Sequence, residues 1–195
     1  MGRDMVNGHF EYDIPDHGAA TISFWMRARS LSGSRTLVGH DGVWVIDNGN
    51  PIHGYNWGSG DVISGGSIPL NTCVHFLVYT TAGQVYINNV LQASGSSLGN
   101  TAILEIGGRN SGRMDGVGSD YALWNVFLNA NERAALSKGV SPLLIRRPNL
   151  FGYWPMYFTG AANAAPDLSG RKYHMNPSGS PAYSTLHPGG SLMAL

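Results

Sequence analysis

Cysteine is almost missing from this chain. Cys73 stands alone, which excludes an intramolecular disulfide and any cysteine-built zinc site. It opens the run Cys73-Val-His-Phe-Leu-Val-Tyr79 and reads as a small buried residue of that strand. Charge is also scarce: Asp, Glu, Lys and Arg make up 12% of the residues, about half the usual share. Twelve basic residues balance twelve acidic ones, and no basic stripe stands out. Nucleic acid and anionic membrane surfaces are therefore excluded as electrostatic partners. No apolar run approaches the roughly 18 residues of a membrane span. The first eight residues lack the apolar centre of a signal peptide. Both absences predict a soluble product made in a cytoplasm. The seven histidines show neither H-E-x-x-H nor H-x-H spacing, so no zinc site is expected.

Glycine and short apolar alternations fill the space that charge leaves. The chain has 27 glycines, and strand signals recur about every ten residues between Gly, Asn, Pro or Ser clusters. Thr21-Ile-Ser-Phe-Trp-Met-Arg27 places Ile22, Phe24 and Met26 on one face, and Val74, Phe76 and Val78 repeat the pattern. Asp41-Gly42 is a hairpin signal between Thr36–Gly39 and Val43–Ile46. Asn88-Asn89 supplies the positive φ of a second hairpin. Asp120-Tyr-Ala-Leu-Trp-Asn-Val-Phe127 reads as a long buried strand. It runs into a short helix that Asn129 and Glu132 cap reciprocally and Gly139 stops. Leu150–Tyr157 is a further aromatic strand that Pro155 confines to an edge or an end. About a dozen strands and one short helix predict an all-β fold: two antiparallel sheets packed as a jelly-roll sandwich. Residues 1–19 read as an N-terminal arm, 20–175 as the jelly-roll domain, and 176–195 as an extended C-terminal segment without charged residues. In the last of these, Leu186, Leu192, Met193 and Leu195 are expected to dock on a neighbour, and a homo-oligomer is expected.

Several of these stretches resemble one family. Thr21-Ile-Ser-Phe-Trp25 is similar to the first core strand of laminin-G-like, concanavalin-A-like jelly rolls. His75-Phe-Leu-Val78 with Gly83-Gln-Val-Tyr-Ile-Asn-Asn89 resembles their hairpin. Leu104-Glu-Ile-Gly-Gly108, Gly116, and Asp120 to Glu132 resemble their closing strand and helix. Beyond it, Gly139-Val-Ser-Pro142, Arg147-Pro148, Gly152-Tyr-Trp-Pro155 and Asp167-Leu-Ser-Gly170 are similar to an arm found in laminin-G-like proteins of tailed phages. That resemblance implies a non-enzymatic virion subunit, a capsid decoration or head-fibre protein made in the host cytoplasm and bound to other virion proteins. The alternative it leaves open is a lectin-like module that binds a glycan for adhesion.

Four motifs bear on chemistry. Trp44, Tyr55 and Trp57, with Asp47, Asn48 and Asn50 nearby, combine aromatic faces for sugar C–H groups with acceptors for hydroxyls. Glu11-Tyr-Asp-Ile-Pro-Asp16 is similar to the E-x-D-x-x-E of jelly-roll glucanases, whose retaining chemistry needs two carboxylates about 5 Å apart. Here the last Glu is an Asp, Pro15 cannot donate within a ladder, and the stretch precedes the family's first strand. It reads as an exposed acidic arm, and no catalytic residue is expected. Gly95-Ser-Ser97-Leu-Gly99 fits G-x-S-x-G but lies between strands, without the helix a nucleophile elbow requires. Calcium, a frequent companion of this fold, would draw on Asp41, Asp47 with Asn48 and Asn50, or Asp115 with Asp120. None of these forms a recognised calcium loop, so no cofactor is expected.

Overall fold

The structure is a computed structural model that describes residues 2–5, 8–13, 21–32, 34–40, 43–48, 52–56, 60–98, 103–108, 112–156, 165–179 and 182–184. Fifteen strands among these form two antiparallel sheets, the sandwich that the alternation predicts. The first sheet runs β10 (Val90–Ser94), β9 (Gln84–Ile87), β8 (Val74–Tyr79), β3 (Thr21–Ala28), β12 (Gly116–Trp124), β1 (Gly2–Asp4), β15 (Ala182–Ser184). The second runs β14 (Asn176–Gly179), β2 (Gly8–Asp13), β11 (Ile103–Ile106), β4 (Ser34–His40), β5 (Val43–Asn48), β6 (Ile52–Asn56), β7 (Gly60–Gly65). An antiparallel bridge between Ile63 and Gly95 ties the β7 edge to the end of β10.

The core lies where the expected faces meet. Ile22, Phe24 and Met26 of β3 and Val74, Phe76 and Val78 of β8 are all buried in it. Phe24 stacks between Phe76 at 5.1 Å and Tyr121 at 4.8 Å, ring centre to ring centre. The second sheet answers with Phe10, Val38, Ile52, Ile63 and Ile106. Asn88 and Asn89 both adopt positive φ, 51° and 64°, as the β9–β10 hairpin requires. Gly152 makes room for a neighbour's ring: a Cβ there would meet the Trp154 indole at 2.2 Å.

β12 branches. Its first half pairs with β1, through Arg3↔Gly118 and Asp4↔Val117. Its second half pairs with β13 (Leu150–Trp154), through Tyr121↔Trp154 and Ala122↔Tyr153. Asp120 sits at the branch, at φ 53°, where the register with β3 shifts between Ser119 and Ala122. The extra residue turns the strand so that one edge serves two partners.

A second, smaller core covers half of the first sheet's outer face. Leu77, Tyr79, Ala122 and Trp124 project there and meet Leu128, Leu136, Ile145, Leu150 and Tyr153. The helix α1 (Ala130–Ser137) carries Leu136 into it. Asn129 accepts from the backbone of Asn131 and Glu132 while Glu132 accepts from the Asn129 N–H, the expected capping box. Gly139 ends the helix at φ 85°. Trp124 is fully buried and its indole N–H donates to the Ile145 carbonyl at 2.8 Å. Behind β13, the Asp167 carboxylate accepts from the Tyr153 N–H (2.9 Å), the Ser169 N–H (2.8 Å), the Ser169 hydroxyl (2.8 Å) and the Tyr173 N–H (3.1 Å). One buried side chain thus fastens the segment after residue 165 to the sandwich.

Four expectations change. The stretch set apart as an arm, 1–19, supplies β1 and β2, each hydrogen-bonded on both sides; residues 176–184 supply β14 and β15 beside them. Cys73 is exposed, one residue before β8 begins. β12 ends at Trp124, and Phe127, read as part of that strand, is exposed at 41%. Trp25 is half-buried and Trp124 fully buried on the same outer face. The expected docking residues Leu186, Leu192, Met193 and Leu195 lie outside the described residues, as do Asp41-Gly42 and Pro15-Asp16. Among the described residues, no helix is long and apolar enough to cross a membrane.

Candidate functional site

The second sheet turns one row of residues to the core and the next row outward. The inward row is Phe10–Ile106–Val38–Val45–Gly54–Ile63. One residue along, the same ladders align Glu11–Glu105–Gly39–Trp44–Tyr55–Asp61. Alternation places Glu11, Glu105, Gly39, Trp44 and Tyr55 on the opposite, outer face, whereas Asp61 stands across a bulge in β7, two residues from inward Ile63. Trp44 and Tyr55 are direct cross-strand partners. Glu11 and Glu105 are likewise direct partners, and Gly39, with no side chain, separates the acidic pair from the aromatic pair.

The two carboxylates differ in exposure. Glu105 is buried, at 5%. The Glu11 side chain is exposed at 52%, and its Oε2 lies 3.5 Å from Nε2 of buried His9, two residues earlier on the same face. The acidic N-terminal stretch is therefore not an arm: Glu11 lies in the second strand of the sheet. The expectation failed because it took Glu11 to precede the sandwich, whereas β2 is held between β11 and β14.

Of the expected glycan residues, the register brings Trp44 and Tyr55 together. It separates Asp47 from them: Asp47 pairs with Ile52, a core residue, so position 47 belongs to the inward row. Asn50 and Trp57 lie outside the described residues. Glu105, Gly39 and Asp61 were not singled out from the sequence. Alternation in Ile103–Ile106 already sets Glu105 apart from Leu104 and Ile106, but only the pairing register shows what stands opposite it.

Two of the calcium candidates, Asp115 and Asp120, have other partners, while Asp41 and Asn50 lie outside the described residues. Asp115 receives the Arg29 guanidinium at 3.0 Å. Asp120 accepts from the Tyr153 hydroxyl at 2.7 Å and the Ser119 hydroxyl at 3.1 Å. Among the described residues no three His, Cys, Asp or Glu side chains gather where a metal ion would sit.

Ser23 and His75 form a hydrogen-bonded pair, Oγ to Nε2 at 2.8 Å, on the outer face of the first sheet. Each is only 2% exposed. Burial pushes the imidazole pKa from 6.5 down to about 3, so the ring is neutral. Trp25 lies edge-on to it at 5.3 Å. With no access to solvent, the pair is structural and not a nucleophile with its base. Ser97 is exposed in the loop after β10 and precedes no helix.

The comparisons with known proteins agree with this architecture. No curated protein sequence matches the chain. In structure it is similar to a candidate carbohydrate-binding protein of Bacteroides ovatus, with a TM-score of 0.71, 13% identity, and coverage of 93% of this chain and 61% of that one. It is similar to the Trypanosoma rangeli sialidase solved with sialic acid, with a TM-score of 0.58, 16% identity, and coverage of 71% and 28%. It also resembles domain 4 of an extracellular arabinanase of Geobacillus stearothermophilus solved with arabinotriose, with a TM-score of 0.51, 19% identity, and coverage of 64% and 71%. The chain thus spans about three fifths of the Bacteroides protein and little more than a quarter of the sialidase. Residues 9–132, well over half of the chain, match the laminin-G profile of the concanavalin A-like lectin/glucanase superfamily, and the chain belongs to that superfamily.

Proposed function

We infer that this chain is a carbohydrate-binding module without catalytic activity of its own. One observation carries the reading: the ladders set Trp44 directly opposite Tyr55 on the outward row of the second sheet, in line with Glu11. Two adjacent aromatic residues suit the apolar face of a sugar ring, and a carboxylate on the same row suits its hydroxyls. The likeness to a candidate carbohydrate-binding protein and to an arabinanase domain solved with arabinotriose supports it. A non-catalytic role is supported by the burial of Glu105, since an acid–nucleophile pair needs both carboxylates at the substrate.

The test is glycan-array binding of the wild type and of Trp44→Ala and Tyr55→Ala, with melting curves beside it. Binding lost in either variant at an unchanged melting temperature is the expected result. No binding by the wild type overturns the reading. Release of reducing sugar from β-glucans, abolished by Glu11→Gln, overturns the non-catalytic part alone.

A second reading places the module on a virion, as a decoration or head-fibre subunit. It is supported by residues 139–154 and 165–170, whose motifs resemble the phage proteins and which pack on the sandwich as one ordered cover. Electron microscopy of the native particle, with the protein located or absent, decides it.

A further inference from the structure

The geometry points to a second sugar subsite on the outer face of the first sheet, built from Trp25, Asp120 and Arg27. The inference rests on the carbohydrate reading above and adds a site that the second sheet's row does not contain.

Trp25 differs from the other two tryptophans whose side chains the structure describes. Trp124 and Trp154 are fully buried, and their indole N–H groups donate to Ile145 O at 2.8 Å and Tyr173 O at 2.6 Å. Trp25 is half-buried, and its N–H has no acceptor among the described residues. Large amphipathic rings usually pair their polar tip when it is enclosed. An indole held at a surface with an uncommitted N–H presents both an apolar face and a donor.

The neighbours hold that ring in place. Its edge-on cross-strand partner His75 is buried and bonded to Ser23, which fixes the ring beside it. Ser119 is its cross-strand partner on β12. The Ser119 hydroxyl holds the next residue's carboxylate, Asp120, which also receives the Tyr153 hydroxyl. The Ser119 and Tyr153 hydroxyls thus orient a half-buried carboxylate that follows the indole's cross-strand partner in β12. Asp120 adopts φ 53°, a conformation that a non-glycine residue seldom takes and that recurs at functional sites. On the other side, Arg27 lies two residues along the same face, half-buried, with its Nε tied to Asn71 O at 3.0 Å. The platform therefore has an acceptor on one flank and a positioned donor on the other. That set fits a neutral pyranose: ring C–H groups on the indole, and hydroxyls on opposite edges to Asp120 and Arg27.

The experiment is calorimetric titration of the folded chain with arabinotriose, laminaritriose, cellotriose and mannotriose, alongside the indole N–H resonances of uniformly 15N-labelled protein. The expected result is two sites per chain with the best trisaccharide. One of them should be weakened about ten-fold or more by Asp120→Asn, a residue that tolerates the left-handed backbone, and lost in Trp25→Ala. That site should survive Trp44→Ala. The Trp25 indole resonance should move at saturation, which keeps the proposal open to refutation if Trp25→Ala does not fold. A single site abolished by Trp44→Ala, with the Trp25 resonance unmoved, overturns this subsite alone. No binding of any trisaccharide by the wild type overturns both sites.

Discussion

Trp124 and Trp25 lie on the same outer face of neighbouring strands, yet one is sealed and the other half-buried. Trp124 sits under α1 and the turns that follow, in a small core with Leu128, Leu136 and Ile145. Trp25 does not pack into that core: His75 and Ser119 are its cross-strand partners, and Ser23 lies two residues along its strand. The strand pattern treats both alike, since each alternates correctly with its neighbours. Among the described residues the difference is set by the extension after β12, which packs on Trp124 and not on Trp25. A strand pattern reports which face a residue is on, and only the rest of the chain reports what lies over that face.

The two tryptophans are the first place to test that contrast. Trp124→Ala should cost about 3–5 kcal/mol through lost burial and a cavity. Trp25→Ala should cost about 1 kcal/mol, the range of a partly exposed substitution. Denaturant unfolding of both variants checks this, and equal losses would mean that the two halves are equally enclosed.

Asp167 tests how the cover is fastened. Asp167→Ala leaves four donors of β13 and of the 169–173 turn without their acceptor. A loss of about 2–4 kcal/mol is expected, with amide exchange rising first at Tyr153, Ser169 and Tyr173. Exchange that stays at wild-type levels there would show that Asp167 is not the fastening.

Acid should act through the half that carries His75. His75 is neutral when folded, its pKa pushed from 6.5 down to about 3, so below 6.5 the unfolded chain takes up a proton that the folded one refuses. Its contribution to stability is intact above pH 6.5 and falls toward pH 3, by up to about 1.4 kcal/mol per pH unit. His75→Gln should flatten melting temperature against pH in that window. An unchanged slope would place the acid sensitivity elsewhere.

The smallest effect is expected on the inward face. The Tyr121 hydroxyl is buried without a hydrogen-bond partner among the described residues, in the niche that Gly118 leaves; a Cβ on Gly118 would lie 2.2 Å from it. Tyr121→Phe should be neutral or stabilising by up to about 1 kcal/mol. A clear loss of stability would reveal a partner for that hydroxyl.

Much of the sandwich was legible in the sequence because its signals are local. The alternation of Ile22, Phe24 and Met26, the Asn88-Asn89 turn and the Asn129–Glu132 box each need only a few residues to be read. What stayed hidden depends on pairing between distant strands. Gly2–Asp4 is too short to show a period, and Gly8–Asp13 shows its core residue, Phe10, only once Ile106 stands opposite. For the same reason Glu11 was set aside as part of an arm, and Glu105 was passed over. Trp44 and Tyr55 were singled out by type, but their adjacency, and the placement of Asp47 in the inward row, come from register alone.

The branching of β12 also constrains the order in which the chain can assemble. Arg3 is held by Gly118 on one side and Tyr183 on the other. β2 waits in the same way for Ile103–Ile106 and for Asn176–Gly179. Both strands thus precede the partners they pair with by a long stretch of chain. Closing loops of this length before any contact forms is slow. A nascent chain would hold β1 and β2 as unpaired edges until β11 and β12 have emerged, the interval in which strand-to-strand aggregation competes with folding.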